Sequence, residues 1–154
     1  MLVVATAGLT STIYAQQYTI FAANLSGSNE VPPVTTAGSG IAIFQLVPVG
    51  HQQIISYQLN LENISGVTGA HIHSGKRGEN GPVVAGLFNP SMSGPPTGAI
   101  NGQLKTGSLT SSDLTGPLAG QQISALVTMI RSGGAYVNIH TTQNQNGEVR
   151  GQIS

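Results

Sequence analysis

The chain has 154 residues with 21 Gly, 8 Pro, no Cys, 6% charged side chains and equal numbers of basic and acidic groups, five each. An average soluble domain carries roughly 25% charge, so this composition disfavours long helices with Glu/Lys faces, a basic stripe for nucleic acid and a polybasic membrane patch. The absence of Cys excludes a disulfide framework, an iron–sulfur cluster, thiol catalysis and a thiolate-ligated copper site.

The length fits one domain with a real core. Residues 1–15, from Met1 to Ala15, are small and apolar and carry no charge. They are too short to span a bilayer as a helix and read as the apolar region and cleavage site of a secretory signal, ending Ile13-Tyr14-Ala15. The positively charged region that opens such signals is missing, which fits a start truncated on its N-terminal side. The expected mature domain is 16–154, exported and without a membrane anchor.

Strand patterning, by alternation and by β-branched or aromatic residues, is clearest at 18–25, 40–47, 54–61, 67–73, 83–87, 99–104, 123–130, 135–140 and 148–153. Turn chemistry separates these runs at Pro32-Pro33, Pro48-Val49-Gly50, Asn80-Gly81-Pro82, Ser132-Gly133-Gly134 and Asn146-Gly147. Ser111-Ser112-Asp113-Leu114 suits one short helical turn, since Ser and Asp favour the start of a helix. Elsewhere no helical periodicity is sustained. Many short strands at this spacing predict an all-β fold, an antiparallel Greek-key sandwich or barrel.

Three of the four histidines fall in two strand patterns. In Gly69-Ala70-His71-Ile72-His73 the two imidazoles share one face and Ile72 points to the other. In Tyr136-Val137-Asn138-Ile139-His140 the apolar face is Val137 and Ile139, so His140 points away from the core. Three outward imidazoles make a candidate metal site, against the plainer reading of three surface histidines on neighbouring strands. Without thiolate, a His₃ set suits copper first, because Cu(II) binds most tightly among the divalent first-row ions. Zinc is the alternative, since three His and a water form a hydrolytic arrangement.

In the last strand pattern Val149, Gly151 and Ile153 alternate with Glu148, Arg150 and Gln152, which predicts Glu148 and Arg150 on the same outer face as His140. The sharper expectation gives Arg150 the steering of a small anionic substrate and Glu148 the orientation of a ligand or the role of base. The plainer one is an ion pair on a solvated face. Lys76 and Arg77 add positive charge beside the HxH strand, Glu148, Asn138 and backbone carbonyls are candidates to hold the imidazole tautomers, and His51 reads as an exposed turn residue. Met92 lies in a Ser/Gly/Pro loop that nothing places near the histidines, and Met129 reads as core. Glu30-Val31-Pro32-Pro33 reads as a rigid turn rather than a recognition segment. Asn24-Leu25-Ser26 and Asn63-Ile64-Ser65 match the glycosylation sequon.

The segments from Leu25 to Val34, Ala70 to His73, Gly78 to Val84, Gly134 to Thr141 and Gly147 to Ile153 together resemble the CHRD domain, named after chordin, over nearly the whole mature chain. The resemblance implies a secreted β domain of a family in which many members have no assigned activity. A weaker architectural resemblance is to Cu/Zn superoxide dismutase, where an HxH strand and a later histidine hold copper outside a Greek-key barrel near an anion-attracting Arg. That likeness implies comparable roles for His71, His73, His140 and Arg150. The stretch from Ser74 to Gly81 lacks the bridging and zinc-ligand histidines of that family, and there is no disulfide, so at most a mononuclear site carries over. The competing functional class is a non-catalytic extracellular module with a protein partner.

Overall fold

The structure is a computed structural model that describes residues 18–90, 96 and 98–154. The N-terminal signal expectation (1–15) and Met92 lie outside the described residues. Among the described residues, eight strands form one antiparallel sheet: β1 (Thr19–Ser26), β2 (Ser39–Val49), β3 (Gln52–Ser65), β4 (Val67–Ser74), β5 (Val83–Phe88), β6 (Ala99–Leu109), β7 (Ala135–Thr141) and β8 (Val149–Gln152). Their spatial order is β5-β4-β7-β8-β1-β2-β3-β6, and β5 returns against β6, so the sheet curls into a nearly closed Greek-key barrel. Curling the sheet protects its edges; at the seam the Tyr57 hydroxyl of β3 donates to the Leu87 carbonyl of β5 at 2.7 Å.

Alternation puts Ile55, Tyr57, Leu59 and Leu61 of β3, Ala70 and Ile72 of β4 and Val137 and Ile139 of β7 into the barrel, with Phe44 among the largest fully buried side chains. Ser111–Asp113 forms a 3₁₀ turn as expected, with Thr110 and Asp113 bonding reciprocally at its start.

One expected strand is a helix. Residues Ile123–Arg131 form α1, which buries Ile123, Leu126, Val127 and Ile130. These are positions i, i+3, i+4 and i+7, the stripe of a helix that covers a core on one side. The alternating set Ile123, Ala125, Val127 and Met129 fits a strand equally well on paper, but it leaves Leu126 and Ile130 in solvent. Burying those two selects the helix. The turn after it ends the helix cleanly: Gly133 takes φ +70°, and the Gly133 and Gly134 amides donate to the Ile130 and Met129 carbonyls at 2.9 Å. Met129 packs at the core's edge.

The helical assignment predicts that Leu126→Ala costs about 2–5 kcal/mol of unfolding free energy, as large-to-small core changes do. Ser124→Ala, on the exposed face, should change stability by less than about 0.5 kcal/mol. Urea unfolding of the two variants checks both.

Candidate metal centre

The antiparallel pairing of β4 with β7 sets Gly69 opposite His140, His71 opposite Asn138 and His73 opposite Tyr136. Because Ala70 and Ile72 are drawn into the barrel, His71 and His73 must face outward, and Ile139 turns His140 to the same side. The imidazole centroids are 5.0 Å apart for His71 and His140, 5.9 Å for His71 and His73, and 5.8 Å for His73 and His140. Each residue offers one ligand atom, and these atoms lie within 4.8 Å of one another.

Gly69 allows the closest of these approaches. A Cβ there would stand 3.0 Å from His71 Cε1 and 3.5 Å from Nε2, so a side chain would push on the ring that leans toward His140. Two backbone carbonyls orient the others. Gly81 O lies 2.9 Å from His73 Nδ1, and Gln145 O lies 2.9 Å from His140 Nδ1. With Nδ1–H donating to a carbonyl, each ring presents an unprotonated Nε2, the tautomer a metal needs. Of the expected holders of the tautomers, the carbonyls fill the role.

His71 Nδ1, His73 Nε2 and His140 Nε2 are buried and have no hydrogen-bond partner among the described residues. Orphaned buried polar atoms are rare and costly, and one on each of three clustered imidazoles matches the donor set of a bound cation. Burial and the neighbouring His140 and His73 lower the His71 pKa to about 4. Burial also lowers that of His73, with the Gly81 bond opposing and His140 and Arg150 adding to the shift. Both shifts favour the neutral, ligating imidazole.

Arg150 faces outward from β8, as the alternation predicts, but it is covered. Only 2% of it is exposed. Its guanidinium donates to Asn80 Oδ1 (3.0 Å), the Lys76 carbonyl (3.0 Å) and the Glu79 carbonyl (2.6 Å), and its Cζ sits 3.4 Å from the centre of the Tyr136 ring. The same ring stacks on His73, with 5.0 Å between centroids and 12° between planes. Arg150 is therefore engaged in pinning loop 75–81, and Gly81 of that loop carries the carbonyl that holds His73. A Cβ at Gly81 would collide with the Ser74 carbonyl, so that close approach requires glycine.

Glu148 is placed away from the imidazoles. Its carboxylate accepts from Thr36 Oγ1 and Thr141 Oγ1, both at 2.7 Å. Residue 148 precedes β8, so the strand's alternation does not govern its direction, and it faces the side of β7 where Thr141, not His140, is found. The structure thus brings His71, His73 and His140 together and leaves Arg150 and Glu148 out of contact with them. His51 is exposed at the β2–β3 turn, as expected, and the sequon residues Asn24 and Asn63 are exposed.

Gly69, Gly81 and Tyr136 build the site without being among the residues that the histidine spacing singles out. Their signal was the clustering of glycines around the HxH strand and an aromatic at the strand position facing His73. A cleft of about 310 Å³ opens on the outer side of His71, lined by Gly86, Leu87, Phe88, Asn89 and Lys105. Lys105 is the exposed cation there.

The CHRD domain family profile matches residues 21–153. The chain belongs to the CHRD domain family. No curated protein and no solved structure gives a match. Within this CHRD domain, no helix among the described residues is long and apolar enough to cross a membrane.

An imidazole that is neutral in the fold but protonates near 6.5 when unfolded binds fewer protons in the native state, so its stability contribution is complete above pH 6.5 and lost as pH falls toward 4. In metal-free protein, the difference in unfolding free energy between the native chain and His71→Asn should therefore shift against the native chain as pH drops from 7 to 4. Urea titrations at stepped pH measure this difference.

Proposed function

We propose that this CHRD domain binds one transition-metal ion, copper in preference to zinc, through His71, His73 and His140. The observation that carries the reading is the set of three histidines whose ligand atoms lie within 4.8 Å of one another, each with a buried ring nitrogen unpartnered among the described residues. The donor set is all nitrogen, which suits Cu(II), Zn(II) and Ni(II), and the affinity order of divalent ions favours copper. Copper bound by three imidazoles supplies one-electron chemistry on a small species such as superoxide when a coordination position stays open.

The chain's own residues do the positioning. Gly81 O and Gln145 O fix two tautomers, Gly69 leaves room for the third ring, and Tyr136 packs flat against His73. Arg150 acts in this proposal through the loop it pins rather than by meeting a substrate, and Glu148 ties the β7–β8 hairpin to Thr36. An anionic substrate would meet Lys105 in the cleft beside His71 instead. Export belongs to the same proposal. It is supported by the apolar stretch at 1–15 and by the family's common extracellular setting.

Titration of metal-free protein with Cu(II) should give one equivalent bound. His71→Ala, His73→Ala and His140→Ala should each weaken binding by more than the ~10–100-fold typical of residues outside the ligand set. Unchanged Cu(II) affinity in any two of these variants overturns the site. Bound copper without superoxide turnover would restrict the function to binding, storage or structural support.

A further inference from the structure

Glu30 is a carboxyl group that the metal reading does not use, and it is 5% exposed. It follows the 3₁₀ turn Gly27–Asn29 and packs on the outer face of β7. Its Oε2 accepts from Asn138 Nδ2 at 3.4 Å, and the same Nδ2 is 3.4 Å from the Asn146 carbonyl. That arrangement assigns the nitrogen of Asn138, because only the amide NH₂ can serve two acceptors. The remaining atoms, Glu30 Oε1 and Asn138 Oδ1, are both buried and have no partner among the described residues.

Both oxygens border Gly147. A Cβ built on Gly147, which holds φ +128°, would lie 2.7 Å from Glu30 Oε1, 2.6 Å from Asn138 Nδ2 and closer still to Asn138 Oδ1. Two buried acceptor oxygens that border one space are unfavourable there unless a proton or a cation serves them. A proton on Oε1 satisfies both at once, since the carboxylic acid O–H donates to Oδ1 while Oε2 keeps accepting from Nδ2.

The charged group that faces Glu30 is Arg150 of β8, and Asn138 of β7 is its polar neighbour. Arg150 donates its bonds to the Lys76 and Glu79 carbonyl oxygens and Asn80 Oδ1, and none is found to Glu30 among the described residues. Its attraction for an ionised Glu30 is outweighed by burial, which raises the carboxyl pKa to about 7.

We propose that Glu30 is a neutral carboxylic acid in the folded domain and a positioning residue, its proton closing a chain through Asn138 to the loop whose Gln145 carbonyl orients His140. Asn146 O accepts from Asn138, and Gln145 O, one residue earlier, accepts from His140 Nδ1. The link to His140 rests on the proposed metal site; the protonation of Glu30 does not. A cleft of about 250 Å³ between 30–34 and 143–147 adjoins the carboxyl and gives protons access to it.

Glu30→Gln tests this, because a glutamine side chain reproduces the neutral acid: its NH₂ donates to Oδ1 and its carbonyl accepts from Nδ2. A carboxyl with a raised native pKa adds stability that is complete below about 4.5 and lost as pH rises through about 7. The native chain should therefore lose stability relative to Glu30→Gln between pH 5 and 8.5, and the Glu30 carboxyl carbon should titrate by NMR near neutrality. A carboxyl carbon that titrates near 4.5, or native and Glu30→Gln stability curves that run parallel across this range, overturns the neutral acid. The NMR titration uses the native chain and stands even if a variant fails to fold.

Cu(II) affinity at pH 6 reads the positioning role. Glu30→Gln should stay within about threefold of the native chain, and Glu30→Ala should weaken binding about tenfold. Full affinity in Glu30→Ala removes that role. Failure of the native chain to bind Cu(II), with a near-neutral NMR titration, overturns the metal reading and the positioning link but leaves the neutral acid in place.

Discussion

The guanidinium of Arg150 is the constraint on which the outer layer of this domain depends. The loop it pins, Gly75-Lys76-Arg77-Gly78-Glu79-Asn80-Gly81, has no apolar side chain with which to anchor itself to the barrel. Its order comes from hydrogen bonds, and three of them run to one buried cation. Arginine suits this place because its planar fork of donors meets several oxygens at once while its face stacks on an aromatic ring. Asn80, which accepts from Arg150, also donates to the Val31 carbonyl at 2.7 Å, so the same cation indirectly fastens the turn that carries Glu30. Losing that hold would leave a buried charge short of partners, which is far costlier than losing a surface contact.

From this follows an arrangement in two layers. The barrel interior is apolar and held by burial of side chains such as Phe44, Leu59, Ile72 and Ile139. Outside β4 and β7 lies a thinner polar layer in which Tyr136, Asn138, His140 and Arg150 are covered by three loops. The imidazole nitrogens in this layer have lost water and gained no partner among the described residues, so the metal-free form bears an unfavourable term that a cation would relieve. A metal that binds only the folded form thereby also stabilises it. Binding and folding are coupled most tightly at the 75–81 and 142–147 loops, since each contributes a carbonyl to one histidine.

Much of this was legible in the chain. Eight of the nine strand patterns form strands, as alternation and turn residues predict, and the convergence of His71, His73 and His140 follows from strand parity on β4 and β7. Parity fixes which face a side chain leaves by, but not what lies above it. Arg150 is outward in the sequence and buried in the fold, because a loop from residues 75–81 returns over it, a long-range event with no local signal. Glu148 shows the limit from the other side: it lies one residue before the strand begins, where alternation no longer fixes a side chain's direction. The helix Ile123–Arg131 is not legible in the chain because its four buried residues and the four of a strand pattern overlap at Ile123 and Val127, and only the position of the core decides between them.

His71 and Glu30 of the polar layer respond to pH in opposite directions, and this governs how the domain's acid–base behaviour is to be read. Burial lowers the pKa of His71 and raises that of Glu30, because desolvation disfavours whichever form is charged. Between about pH 4 and 7 both are neutral, and Arg150 is left as the buried cation of the layer, compensated by carbonyl oxygens and the Tyr136 face. Over the same range one linkage strengthens the fold with rising pH and the other weakens it, so the slopes partly cancel. A flat stability profile of the native chain is therefore compatible with two strongly perturbed groups, and only single-residue differences separate them. The cancellation has a physical origin: withdrawal from water disfavours the charged form of each group, which is the protonated imidazole for His71 and the ionised carboxyl for Glu30.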